Sequence, residues 1–335
     1  MNDKIDFVII WVDNNDPLWQ QEYNKYANKS ASTDDKSTAR YRDWDNLRYW
    51  FRGVEKFAPW VNKIHFVTCG HYPKWLNLKA PKLNFVKHED YIPHEYLPVF
   101  SANPIEIHLH RIPELAEKFV FFNDDLFLIN NVSPERFFKN GLPCDMAACT
   151  VAGTLDFTMS HIATNNMYCI ESTFDKKKVI LKHWNKWFHW KYDMGRLLKT
   201  FCLLPFSHFA TIFDPHLSNA FLKETFYSVW SQYEESLVRT SQSRFRSIAD
   251  NNQYLFRYWQ LLTGNFEPTN VTKDGKYYSI SEESIEEIER VITSQNCNLL
   301  VLNDSNEIKS FETIKNRINN AFETILPNKS DFELF

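Results

Sequence analysis

Phe119-Val120-Phe121-Phe122-Asn123-Asp124-Asp125 decides how this chain is read. Four aromatic or β-branched residues in a row make a strand, and the strand ends in an amide and two carboxylates. An apolar strand with that ending places its carboxylates at the C-terminal edge of a sheet, where α/β folds receive ligands. Further strands precede it. Ile5 to Val12 (IDFVIIWV) is a continuous apolar run, interrupted by Asp6 alone, and reads as a buried strand of a parallel or mixed sheet. It ends in the turn cluster Asp13-Asn14-Asn15-Asp16-Pro17. Lys63 to Thr68 and Leu83 to Val86 read as two more strands.

Helical signals alternate with these strands. Trp44, Leu47, Phe51, Val54 and Phe57 recur at helical spacing, with Asp43 placed to cap and Pro59 to stop the helix. A second helix is predicted from Pro104 to Glu117, and 28–39 reads as a polar surface loop. The expected fold is α/β, a mixed, mostly parallel sheet flanked by helices, with a more helical second half. Helices are expected over 175–190, 216–239, 250–263, 281–294 and 307–325. The division falls at 1–150 and 151–335, with a last strand, Asn298 to Leu302, rejoining the core.

Composition narrows the function. A hydrophobic content of 44%, a charged content of 24% and a net charge of -4 describe a globular protein with no bulk attraction for nucleic acid. Only 7 of the 335 residues are glycine, and no Gly-rich phosphate loop exists. Any bound phosphate must be held by metal and side chains. The N-terminal apolar stretch is too short for a signal peptide, and no run is long enough to span a membrane. The 6 cysteines are scattered, as expected of reduced buried thiols, so a cytosolic site is the default.

Several groups carry chemistry in this reading. Asn123-Asp124-Asp125 suits a hard cation such as Mg²⁺ or Mn²⁺, although Asn-Asp is also ordinary turn chemistry. Leu299 to Leu302 followed by Asn303-Asp304 repeats the pattern. Trp11, beside Asp13, offers a stacking face for a base or sugar. On a helix, Asn103, Glu106 and His110 would share one face with Arg111 close by, and Arg244 and Arg246 could neutralise phosphate oxygens. His208 and His216 flank Asp214-Pro215. The aromatic stretch His183 to Trp190 reads as core packing, with a glycan platform or membrane-surface anchor as alternatives.

With these segments in view, the chain resembles the stealth family of sugar-phosphate transferases. That family includes bacterial capsular polysaccharide phosphotransferases and the animal lysosomal-enzyme N-acetylglucosamine-1-phosphotransferase. The first block looks like Ile5 to Asp13. The second resembles 42–128 through Arg42-Asp43, Asn46-Leu47-Arg48-Tyr49, Ala58-Pro59-Trp60-Val61, His88-Glu89-Asp90 and Phe122-Asn123-Asp124-Asp125. The third is similar to 215–264 through Pro215-His216, Thr240-Ser241, Arg244-Phe245-Arg246 and Leu261-Leu262-Thr263-Gly264, and the fourth matches Leu302-Asn303-Asp304. The family's third block often begins His-x-Pro-His, whereas Phe213 stands at its first position here. Whether His216 or His208 serves instead is open at this stage, and 151–205 matches no block.

The resemblance implies a nucleotide-sugar-transferase-like fold and transfer of a hexose 1-phosphate, typically an N-acetylhexosamine 1-phosphate, from a UDP-sugar to a sugar hydroxyl, releasing UMP. It implies Mg²⁺ (or Mn²⁺) held by Asp125 and Asp304, with Asp124, Asn123 and Asn303 orienting ligands. Arg111 and Arg246 would stabilise the transferred phosphate, and His110 or His216 would take the acceptor proton. Trp11 and Asp13 would lie near the nucleotide, and Arg42, Asp43, Asn103, Glu106 and Arg244 complete the expected substrate contacts. The acceptor would be a polysaccharide or lipid-linked glycan, which would bring a cytoplasmic enzyme to the inner face of the membrane. The competing readings are a metal-dependent glycosyltransferase releasing UDP and a non-catalytic carbohydrate-binding protein.

Overall fold

A computed structural model describes residues 4–30, 42–151, 153, 156–305 and 308–335, the side chains of 28–30 excepted. Its main sheet has five strands in the order β10-β4-β1-β2-β3. These are β1 (Ile5–Ile10), β2 (Ile64–Thr68), β3 (Leu83–Lys87), β4 (Lys118–Phe122) and β10 (Asn219–Leu222). The first four run parallel and β10 lies antiparallel on the edge beside β4. The mostly parallel α/β expectation is borne out, and so is the helical second half.

Asp6, the one acid in β1, is fully buried and explains the register of the sheet centre. Its carboxylate accepts from Asn62 Nδ2 (2.6 Å), the Lys63 amide (3.1 Å), His65 Nε2 (2.9 Å) and the Ala116 amide (2.8 Å). A buried charge is tolerable when its oxygens are filled in this way, and the bonds tie β1 to the lead-ins of β2 and β4.

Helix α2 (Leu47–Phe57) covers the sheet with Leu47, Trp50, Phe51, Val54 and Phe57. Gly53 faces β5 (Leu126–Leu128), and a Cβ there would meet the Leu128 carbonyl oxygen at 2.6 Å. The close helix–strand approach therefore depends on glycine. Asp43 does not cap this helix. Asn46 holds the cap position, while the Asp43 carboxylate accepts the Asp45 amide (2.8 Å) in a turn where Asp45 has φ of 50°.

Other elements depart from the sequence reading. Helix α1 (Pro17–Ser30) follows the first turn and was not anticipated; the loop expected over 28–39 lies outside the described residues from 31 onward. The helix predicted from Pro104 to Glu117 is only α3 (Ala102–Glu106) and a 3₁₀ turn at Leu109–Arg111. Pro113 forces Ile112 into an extended conformation (ψ 126°) and ends helical structure there. The helix expected over 175–190 is present as two pieces, α5 (Lys176–Lys182) and α6 (Trp184–Trp187), while α4 (Phe157–Thr173) and α7 (Met194–Leu203) on either side were not expected. The span 216–239 opens with strand β10 before α8 (Lys223–Ser241), and α9 (Tyr254–Thr263) follows.

Among the described residues, three small ladders complete the fold. β6 (Phe138–Lys139), β7 (Leu142–Asp145) and β11 (Glu267–Pro268) form one, and β8 (Cys149–Thr150) pairs with β9 (Thr211–Ile212). The third has β13 (Leu299–Asn303) between β12 (Gly275–Ser279) and β5. β13 does not add to the main sheet, but Leu299 to Leu302 pack into the same core as β1 and α2. Helices α10 (Ile285–Thr293) and α11 (Phe311–Ile325) close over it.

Candidate active site

From β1 the chain winds through β2 and β3 on one side, then crosses to β4 on the other. The C-terminal ends of β1 and β4 thus flank a topological switch point, where neighbouring connections diverge and leave a crevice. Trp11-Val12-Asp13 leaves one lip and Asn123-Asp124-Asp125 the other. A cavity opens between them, lined by Trp11, His88, Phe100, Asp124 and Arg246 among others. The Asp13 amide donates to His71 Nε2 (2.8 Å), and the His71 ring meets Trp11 edge-on at 5.3 Å. The Asp13 carboxylate accepts the Asn15 amide (2.8 Å), which shapes the turn.

Asp124 and Asp125 leave β4 together. Asp124 is exposed to solvent in the crevice, with protein packed around its carboxyl group. That crowding, with the neighbouring Asp125 charge, pushes its pKa up to about 7, and crowding takes Asp125 to about 6. Both carboxylates therefore gain from a cation. β5 begins directly after them, and the Leu302 amide donates to the Asp125 carbonyl (2.8 Å), which extends the β5–β13 ladder. The two Asn-Asp motifs abut through this bond.

Asp304 is already engaged. Its Oδ2 accepts from Trp44 Nε1 (3.1 Å) with Arg42 Nε 3.5 Å away, and its Oδ1 accepts the Ser305 amide (2.6 Å). Arg42 also donates to the Ser305 carbonyl (3.2 Å), and Asn303 Nδ2 to the Asp304 carbonyl (3.1 Å). Asp43 is exposed and turned to its own loop. Among the described residues no three His, Cys, Asp or Glu side chains converge as a metal cage.

His216 completes the cluster. Its Nε2 lies 4.0 Å from Asp125 Oδ2, its ring meets Tyr277 edge-on at 5.3 Å, and its φ is 50°. Surrounding protein lowers its pKa, which favours the neutral, proton-accepting imidazole. A left-handed residue persists only where its neighbours over-determine it. Here Asp214 does so: its carboxylate accepts from Arg257 Nη1 (2.7 Å) and Tyr258 Oη (2.5 Å). Arg257, buried, also holds Asp145 through Nε and Nη2, both at 2.8 Å. Sequence reasoning missed this pair of ion bonds. The signal was an arginine inside the apolar Tyr254–Thr263 run, which can be buried only when paired.

A second cavity runs past His216, lined by Thr150, Asp156, Met159, Phe213, Asp214 and Tyr254 among others. Arg246 borders the first cavity, and its Nη1 reaches Met159 Sδ (3.7 Å) in the second, so its guanidinium stands between them. Phe213 packs under the Arg196 guanidinium at 4.1 Å, and the exposed His208 pairs with Glu171.

Other expected site residues lie elsewhere. His110 is buried among Phe226, Tyr227 and Trp230, with its pKa lowered to about 3 by burial. Arg111 stacks over Trp230. Both stand near Lys223, whose amide binds the Glu117 carbonyl at the start of β4, the end opposite Asp124. The structure does not bring them to the crevice, because the helix that would have aligned them is not formed. Arg244 clamps the Leu97 and Pro98 carbonyls and lies over Tyr26. Asn103 donates to Asp250 Oδ2 (2.9 Å) and Glu106 accepts the Gln253 amide (3.2 Å), both as buried props of the 250–253 segment.

Comparison with known proteins shows the family of the chain. The model of "Stealth protein CR2, conserved region 2" matches residues 40–145. The capsular polysaccharide phosphotransferase WcwK of Streptococcus pneumoniae is 40% identical over 332 residues, covering 99% of this chain and 98% of its own length. The chain belongs to the stealth family. The receptor polysaccharide phosphotransferase WefC of Streptococcus gordonii is 38% identical over the full length of both chains. The exopolysaccharide phosphotransferase cps2G of Lactiplantibacillus plantarum is 35% identical, covering 98% and 96%. With stealth relatives of this kind along its whole length, the chain is a transferase enzyme, and the reading as a non-catalytic binding protein is set aside.

Proposed function

We propose that this enzyme transfers a hexose 1-phosphate from a UDP-sugar to a hydroxyl of a growing surface polysaccharide and releases UMP. The observation that carries the reading is the placement of Asp124, Asp125, Arg246 and His216 around the junction of two cavities at the sheet's switch point. The first cavity, beside Trp11, takes the nucleotide, and the second takes the acceptor.

In this mechanism the acceptor oxygen bonds to the β-phosphorus of the donor while the bridging P–O bond to UMP breaks. The acceptor proton passes to His216 Nε2, and the bond pair leaves with UMP. Arg246 stabilises the non-bridging oxygens of the phosphoryl group in flight. Asp124 and Asp125 fit Mg²⁺, which commonly takes one or two carboxylates and fills its remaining positions with water and substrate phosphate. That mode needs no protein cage, in keeping with the engagement of Asp304 by Arg42 and Trp44. When bound there, Mg²⁺ supplies neutralising charge on the diphosphate. Asn123 and Asn303 orient ligands beside it. The reaction belongs in the cytoplasm, at the inner face of the membrane if the acceptor is lipid-linked.

Incubation with UDP-N-acetylglucosamine or its epimers and acceptor glycan tests the proposal by the nucleotide released. UMP is expected. Recovery of UDP would replace phosphotransfer with simple glycosyl transfer.

A further inference from the structure

We infer that α7 and the segments beside it form a docking face for an anionic lipid bilayer. No described helix is long and apolar enough to cross a membrane. Met194, Leu198 and Phe201 repeat at positions i, i+4 and i+7 of α7 and are 78%, 62% and 60% exposed. Trp190 before the helix is 82% exposed and Phe206 after it 63%. A row of large apolar side chains on one helix face, left in water, marks an interaction surface.

Charge selects the occupant. Residues 176–206 contain eight Lys or Arg and a single acid, Asp193, in a chain whose net charge is -4. Some of these cations are internal: Lys176 holds the Leu203, Phe206 and His208 carbonyls, and so ties the start of α5 to the end of α7. Lys177, Lys178, Lys182 and Lys199 are exposed. An apolar helix face with a lysine on the same helix, more on the α5 helix tied to its end, and an exposed tryptophan before it has the chemistry of a helix lying in the headgroup region of acidic lipid.

The face is joined to the site. Thr200, on the buried side of α7, accepts the Cys149 amide of β8 (3.0 Å), and β8 pairs with β9, which leads to His216. Thr150 and Thr211, on those two strands, line the second cavity. A bilayer held by α7 would therefore lie one layer of structure from the acceptor cavity, which deepens the proposal of a lipid-linked acceptor and rests on it.

Co-sedimentation of the full-length protein with vesicles tests this. Phosphatidylcholine vesicles with about one-third phosphatidylglycerol should bind it, and pure phosphatidylcholine should not. W190S/L198S/F201S should weaken binding on the order of tenfold. K177E/K178E/K182E should weaken it roughly fivefold per lysine at low salt and less at high salt. The altered side chains are solvent-exposed, so both variants should melt like the parent. Vesicle binding is read without donor or acceptor, and UMP release with a water-soluble acceptor is read without vesicles, so the two proposals fail separately. No binding to the anionic vesicles, or undiminished binding by the first variant, would overturn the inference. So would a solution dimer that this variant dissociates, since a second copy would then be the occupant.

Discussion

His216 Nε2 stands 4.0 Å from Asp125 Oδ2, across the junction of the two cavities. A histidine kept neutral by its surroundings and aimed toward a carboxylate pair is poised to receive a proton where a phosphoryl group is transferred. His216→Gln should lower kcat by about 10²–10⁴ with little change in donor binding, read by UMP release and by donor titration. In the parent enzyme the base works only when neutral. Its lowered pKa puts the limb due to this base below the ordinary histidine value of 6.5, and at saturating Mg²⁺, which keeps both carboxylates ionised, that limb should vanish in the variant.

Asp124 makes the metal-free enzyme less stable as pH rises. Its folded pKa of about 7 exceeds the ordinary 3.8, so the folded state holds the proton more tightly than the unfolded state. Stability therefore falls as pH climbs between those values. Asp124→Asn should raise the melting temperature of the metal-free protein at pH 8, on the order of 2 °C, while abolishing transfer. Mg²⁺ should raise the melting temperature of the parent at pH 8 and leave that of the variant nearly unchanged.

Asp6 has the opposite sign. Burial alone would raise its pKa, but its hydrogen bonds to His65, Asn62 and Ala116 outweigh that and leave it lowered. Its contribution is complete above the unfolded value and is lost as pH falls through the folded one. Asp6→Ala strands several buried donors and should cost about 3–5 kcal/mol, measured by urea unfolding at neutral pH. The loss should shrink in acid.

Arg257→Met would leave Asp145 and Asp214 facing each other without their shared cation. The expected cost is about 3–5 kcal/mol in unfolding free energy. Arg257→Met with Asp145→Asn and Asp214→Asn should recover part of that stability but not kcat, because the left-handed turn at His216 loses its anchor.

Gly53→Ala drives a methyl group into the Leu128 carbonyl oxygen. A destabilisation of about 1–3 kcal/mol is expected from thermal unfolding, together with a fall in kcat, since Asp125 directly precedes β5.

The strands that were read are short runs dominated by β-branched and aromatic residues, broken by at most one or two polar side chains, and composition and length identify such runs. Asn123-Asp124-Asp125 and Asn303-Asp304 were readable for the same reason: polar residues end an apolar strand abruptly. The failures share a cause as well. His110 and Arg111 looked aligned with Asn103 and Glu106 only on the assumption of a continuous helix, which Pro113 and the burial of Ile107 and Leu109 prevent. β10 was absorbed into a helix because Asn219 to Leu222 is too short to show alternation, and its partner β4 lies about a hundred residues away. Arg257 shows the limit best, since its two partners come from β7 and from the turn before His216, and nothing local to α9 names them.

The Leu302–Asp125 bond has one further consequence. It joins segments nearly 180 residues apart, so the backbone that carries Asp125 is not fully held until Leu302 has left the ribosome. The enzyme gains its reactivity in one late step of its own synthesis, and a prematurely ended product that stops short of Leu302 should be inert instead of partly active.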